Sequence, residues 1–287
     1  MQRLLIVGCG DVVRRALPRL TRQWRVYALV RERDLSLAQL GVTQIIGDLD
    51  RPSSLGRLAG LAHAVLHSAP PPDQGNDDPR TRRLIAALER GSLPRRLVYI
   101  STSGVYGDCA GARVFETRRL NPQTARARRR VASERLVRGF GVNSGCRVSI
   151  LRAPGIYAGD RLPLDRLRRG LPVLAAGEDA YTNHIHADDL AAACIAALRR
   201  GRAGRAYNAC DDSDLPMGDW YDILADAFGL ARPPRRSRAE VEAAVPAVML
   251  SFMNESRRLD NGRLKRELKL RLRYPTVDAG IAATKEK

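Results

Sequence analysis

Leu4-Leu5-Ile6-Val7-Gly8-Cys9-Gly10-Asp11-Val12-Val13 is the stretch on which the fold turns. Four consecutive apolar residues predict a buried strand, the two glycines a tight turn, and apolar recurrence at Val13, Leu17 and Leu20 a helix. Strand, glycine turn and helix in that order form a phosphate cradle. Gly8 permits the turn, and Gly10 lets backbone N–H groups approach a pyrophosphate at the helix start, beside Asp11 and Val12. The third small position of G-x-G-x-x-G holds Val13. A valine there costs helix–strand packing, but its side chain points to the sheet and leaves the phosphate path open. A purely structural βα turn is the competing reading.

The pattern repeats outward from this point. Arg25–Val30, Thr43–Ile46, Ala64–His67, Arg96–Ser101, Arg147–Leu151 and Ala206–Ala209 read as strands. Helical patterns cover Arg80–Glu89, about Thr124–Phe140 and Asp188–Leu198, the last with Asp188 and Asp189 expected to cap it. This alternation predicts an α/β protein: a Rossmann-type, doubly wound parallel sheet with a smaller C-terminal substrate lobe. Residues 1–157 form the dinucleotide-binding domain, completed by about 184–210. Residues 158–183 and 211–287 form the lobe, with Asp160–Glu178 irregular and helices near Met217–Phe228, Arg238–Ala244 and Gly262–Leu268. At the end of the second strand, NAD usually meets a carboxylate and NADP an arginine. The chain has Arg31-Glu32-Arg33, so Arg31 and Arg33 favour NADP while Glu32 leaves NAD open.

Composition removes several classes. At 287 residues and 44% apolar content the chain is a folded protein of one large domain, or one with an appended lobe. No apolar run approaches the ~18 residues of a membrane span. The five cysteines are scattered without a C-x-x-C pair, so neither a disulfide framework nor a metal site follows, and a reducing cytoplasm is expected. The net charge is +18, almost all from arginine spread along the chain. A nucleic-acid footprint would gather on one element with stacking aromatics, so nucleic acid is not the expected partner.

Longer motifs carry a resemblance. Tyr99-Ile100-Ser101-Thr102-Ser103-Gly104-Val105-Tyr106-Gly107-Asp108 resembles the S-[ST]-x-x-V-Y-G-D segment of the extended short-chain dehydrogenase/reductases, the NAD-dependent epimerase/dehydratase family. Gly47-Asp48-Leu49 is similar to that family's adenine-contacting G-D-[LV]. Leu151-Arg152-Ala153-Pro154-Gly155-Ile156-Tyr157 resembles its turn beside the nicotinamide, and Asn183-His184-Ile185-His186-Ala187-Asp188-Asp189-Leu190-Ala191 its [FN]-x-[HY]-[IV]-x-D-[VL]-A segment. The resemblance spans about Leu4 to Pro275. It implies cofactor contacts at Asp48, Leu49, Ser68, Ala69, Pro154 and Ile156, and substrate contacts at Ser103, Tyr106, Tyr157 and Asn183. Homodimerisation through the long helix is also implied, although Arg128, Arg129 and Arg138 charge that face.

The departure is in the catalytic dyad. The family carries Y-x-x-x-K on the long helix, with a glutamate four residues after the lysine. Counting back from Glu134 puts Arg130 at the lysine and Arg126 at the tyrosine. Arginine does not exchange a proton near neutrality, so Arg126 does not replace a phenol. Arg130 retains the ability to donate hydrogen bonds to a ribose or phosphate. Their spacing puts both on one helix face, as pocket residues or as part of a solvated basic face. Thr102 aligns with the family's catalytic Ser/Thr and is expected to orient a substrate oxygen. Tyr106, Tyr157, Tyr181, His184 and His186 are the titratable side chains available to stand in, with His186 expected to be structural. The leading expectation is an NAD(P)-dependent oxidoreductase or epimerase/dehydratase acting on a small polar or sugar-like molecule. The alternative is a catalytically inactive NAD(P)-binding sensor or scaffold.

Overall fold

The computed structural model describes residues 1–246, 249–250 and 253–285. Seven strands make one sheet, in the spatial order Arg205–Asn208, Arg147–Ala153, Arg96–Thr102, Ala64–His67, Arg3–Val7, Arg25–Val30 and Thr43–Ile46. Every pairing is parallel. The chain runs outward from its first strand to its third, then crosses back to the other side of the first. That reversal opens a crevice at the carboxyl ends of the strands.

Alternate strand residues supply two cores, as a sheet covered on both faces requires. Leu4, Ile6, Val26, Ala28 and Leu66 face the helices Asp11–Leu20 and Ala187–Arg200. Leu5, Val7, Val65, Leu97 and Ile150 face Pro79–Leu88 and Ala125–Ser144. Val13 is buried in the first of these cores, opposite the alanine-rich Ala187–Arg200 helix. Small side chains across that interface give the branched valine the room that a glycine or alanine would otherwise provide.

Several details differ from the sequence reading. The strands Arg96–Thr102 and Arg147–Ala153 run on past Ser101 and Leu151, because their register continues to Thr102 opposite Ala153. The long helix extends to Ser144, where Gly145 at φ +70° ends it. Asp188 and Asp189 do not cap their helix: the N-cap is His186, whose Nδ1 accepts the Asp188 N–H at 3.2 Å. Buried Asp189 instead accepts the backbone N–H groups of Arg273 and Tyr274, tying the C-terminal segment to the sheet domain. The stretch expected to be irregular holds a short helix, Leu164–Arg168, and a strand, Val173–Leu174, that pairs with Arg235–Arg236.

Two glycines are fixed by geometry. Gly8 has φ +95°, and a Cβ there would stand 2.5 Å from the Ala69 nitrogen. Gly107 has φ +67°, with the Asn121 carbonyl oxygen 2.2 Å from such a Cβ. Gly8→Ala is therefore expected to cost about 1–3 kcal/mol in backbone strain alone, with the clash added. Gly10→Ala should cost far less, since Gly10 has φ −72° and nothing within 4 Å of its Cβ position. Urea denaturation of the two variants checks the contrast.

Candidate functional site

A cleft of about 1060 Å³ follows the carboxyl edge of the sheet. Gly8, Gly10, Asp11 and Val12 line it at the glycine turn, Arg31, Asp48 and Leu49 on one side, and Ser68, Ala69, Thr102, Arg126, Arg130, Pro154 and Ile156 on the other. The sequence thus converges here from six strand ends and the first two turns of the long helix.

At the glycine turn, Ser68 and Ala69 pack directly on Gly8. Their N–H groups both donate to the Val7 carbonyl, and the Ser68 hydroxyl donates to the Gly8 carbonyl. This staple holds the turn while Gly10 stays exposed toward the cleft. Burial pushes the Cys9 thiol up to about 11, so it stays protonated. Asp11 puts a carboxylate at the helix start where an anion would sit. Two guanidiniums offset it: Arg15 at 2.9 Å and Arg161, reaching across from the C-terminal side, at 3.0 Å. Arg15 stands one helical turn after Asp11, a spacing readable in the sequence, whereas Arg161 lies 150 residues away and was not legible as a partner.

At the end of the second strand Arg31 and Glu32 line the cleft and Arg33 does not. The ordered carboxylate is one residue further on. Asp34 caps the short helix Leu35–Gln39 and is paired with Arg14, and hydrogen bonds from Ser36 and Arg14 hold its pKa down at about 2. Arg14 also donates to the Cys9 carbonyl at 3.1 Å, so it braces the glycine turn against this loop. An aspartate directly before Leu35-Ser36-Leu37 was the available signal for that cap.

At the opposite end, Thr102 closes the strand Arg96–Thr102, and its hydroxyl accepts the Gly104 N–H at 3.3 Å. Arg126, Arg129 and Arg130 line the cleft with it from the long helix. Arg130 donates to the Tyr99 hydroxyl at 2.8 Å and the Ile100 carbonyl at 3.0 Å. Arg129 donates to the Gly75 carbonyl at 2.8 Å. The chain's four lysines all lie beyond residue 264, and none has a tyrosine four positions before it, so no Y-x-x-x-K occurs anywhere.

Ser103, Tyr106, Tyr157 and Asn183 are not brought to the cleft wall. Ser103 is buried in the turn Ser103–Tyr106. The Tyr106 hydroxyl donates to Asn208 Oδ1 at 2.7 Å and accepts from Arg152 at 2.8 Å, and burial pushes its pKa up to about 12. Tyr157 is buried in an aromatic cluster with His184, His186 and Trp220. The Asn183 amide is spent on backbone groups of Arg257 and Leu259. Both histidines are buried, and burial lowers the His184 pKa to about 3. Tyr106 and Asn183 satisfy buried polar demands, which a motif match does not reveal.

Behind the site, Glu134 and Arg152 form a buried two-point ion pair, Nε to Oε1 at 3.0 Å and Nη2 to Oε2 at 2.7 Å. Ser101 also donates to Glu134 Oε1 at 2.8 Å. Among the described residues no group of three or more His, Cys, Asp or Glu side chains is arranged to hold a metal ion, and no helix is long and apolar enough to cross a membrane.

The fold and the cleft together define a doubly wound α/β protein of the Rossmann type, with its pocket at the carboxyl ends of the strands. The profile of the NAD-dependent epimerase/dehydratase family matches residues 13–210, and the chain belongs to that family. Among curated proteins, the GDP-6-deoxy-D-mannose reductase of Pseudomonas aeruginosa is 29% identical over 225 residues, covering 67% of this chain and 74% of that protein. A functionally unknown conserved protein from Silicibacter pomeroyi superposes with a TM-score of 0.81 at 28% identity, over 100% of this chain and 99% of its own. A dTDP-glucose 4,6-dehydratase double mutant from Streptomyces venezuelae, solved with NAD bound, gives 0.77 at 22% identity over 99% and 97%. That last likeness speaks to the fold alone.

Proposed function

We propose that the chain binds a nicotinamide dinucleotide along this cleft and acts as an oxidoreductase or epimerase/dehydratase on a small polar, sugar-like molecule. The observation that carries the reading is the continuity of the cleft from Asp48 and Leu49, past the exposed Gly10, to Thr102 and Arg130. Gly10 offers backbone and open space where a pyrophosphate must approach, and Arg161 with Arg15 offsets the Asp11 charge beside it. When bound, the dinucleotide supplies hydride exchange at its nicotinamide ring. Thr102 orients the substrate oxygen, and Arg130, already pinned to Tyr99, holds the ribose. Residues 158–183 and 211–287 form the substrate lobe. The reductase relative from Pseudomonas aeruginosa supports a substrate of sugar-nucleotide type.

Arg31 is the cleft residue suited to a 2′-phosphate, which favours NADP over NAD. Arg31→Ala is expected to weaken NADP by roughly 1.5–3 kcal/mol, the range for a charge-assisted hydrogen bond, and to leave NAD nearly unchanged. Added salt should erode the preference. Calorimetric titration of both nucleotides checks this, and equal dissociation constants in the unmodified protein would contradict it.

One observation favours a second reading. With arginines at 126 and 130 and no Y-x-x-x-K in the chain, the usual proton relay has no phenol in the cleft. General acid–base help contributes ~10²–10⁴-fold in rate, so a cofactor-binding sensor or scaffold is the alternative. Turnover across a panel of carbonyl compounds and nucleotide sugars separates the two readings.

A further inference from the structure

The long helix sends three guanidiniums into one end of the cleft, from Arg126, Arg129 and Arg130. Positions three and four apart share a helix face, so these charges are close neighbours. Two of the three are held by uncharged groups. Arg129 donates to the Gly75 carbonyl, and Arg130 to the Tyr99 hydroxyl and the Ile100 carbonyl, all uncharged acceptors.

Glu255 sets a favourable charge near Arg126. That carboxylate is itself held by Arg257 at 2.8 Å, so two guanidiniums share it. Burial by the cleft walls holds the Arg126 pKa below its usual value; Glu255 opposes the shift, and Arg130, Arg257 and Arg129 add to it. The same corner reaches Thr102. A methyl group built on Gly104 would stand 3.7 Å from Thr102 Oγ1 and 3.9 Å from Glu255 Oε2. Gly8 lies two strands away, roughly 10 Å at sheet spacing, and Arg31 lies on the far side of it. The cluster is therefore set apart from the places where a dinucleotide's pyrophosphate and 2′-phosphate would sit.

Like charges gathered in a partly desolvated corner repel, and a bound anion relieves that repulsion. We propose that this corner is an anion subsite: the substrate carries a carboxylate or phosphate, which Arg126 binds with Arg130 beside it while Thr102 receives the reacting oxygen. This rests on the dinucleotide reading for its orientation. Arg126 then selects the substrate instead of exchanging a proton with it. A guanidinium offers a planar pair of donors matched to either oxyanion.

The test titrates inorganic phosphate and, separately, pyruvate into the protein by calorimetry at constant ionic strength, with and without saturating NADPH. Arg126→Gln is compared with Arg135→Gln, an exposed position on the same helix. The expected result is saturable binding of at least one anion, weakened roughly tenfold or more by Arg126→Gln and unchanged by Arg135→Gln. Preference between the two probes tells a phosphate from a carboxylate substrate. NADPH binding without saturable binding of either anion would overturn the subsite alone. So would anion binding that Arg126→Gln leaves intact, or a loss on Arg126→Gln of NADPH affinity instead of anion affinity. Failure of NADPH to bind, with anion binding still dependent on Arg126, would overturn the dinucleotide reading and leave the subsite standing.

Discussion

Arg152→Ala is expected to lower the unfolding free energy by about 3–5 kcal/mol, the range for stranding one member of a buried ion pair. Arg152 and Glu134 are 3% and 1% exposed, and their two-point contact lies between the long helix and the strand Arg147–Ala153. Burial by itself would lower the Arg152 pKa, but the hydrogen bonds and charge of Glu134 outweigh it and the net shift is upward. Alanine would leave Glu134 with Ser101 and the more distant Arg138, at 3.8 Å, as partners for a buried charge. It would also take a donor from the Tyr106 hydroxyl and from the Glu116 carbonyl. A paired change, Arg152→Met with Glu134→Leu, removes both charges and should recover most of the loss, because desolvating the pair offsets much of what its attraction contributes. Denaturant unfolding of the single and double variants checks this. A single variant as stable as the parent would mean that the pair is not buried as described.

Much of this fold was legible because the parallel sheet writes itself plainly. Arg25–Val30 and Thr43–Ile46 take the bounds read from the sequence, the first around the apolar run Val26–Val30 and the second as a short, partly exposed edge strand. The glycine turn was legible for a related reason: only glycine fits φ +95° against the Ala69 backbone. What failed to read were side chains whose partners come from distant parts of the chain. Tyr106 matches a substrate-side motif, yet it points inward because Arg152 and Asn208 need its hydroxyl. Asn183 is drawn to the backbone at Arg257 and Leu259 in the same way. The Arg161–Asp11 and Arg257–Gly107 contacts became visible only once the C-terminal segments lay against the sheet domain. Val13 shows the converse, a misfit by motif that the alanines of the facing helix absorb.

Gly10→Asp carries the other large effect. Gly10 begins the helix Asp11–Leu20 with its Cβ direction open to the cleft, so an aspartate fits the fold but fills the pyrophosphate position with bulk and negative charge. The melting temperature should stay close to that of the parent, while dinucleotide affinity falls by at least about a hundredfold, equivalent to ~2.7 kcal/mol. The most direct test of the account is therefore a titration of NADPH and NADH into the parent and Gly10→Asp proteins, followed by the nucleotide's fluorescence. The expected result is saturable binding of one nucleotide per chain in the parent and its loss in a variant that melts normally. Equal binding by both proteins, or no saturable binding by the parent, would contradict it.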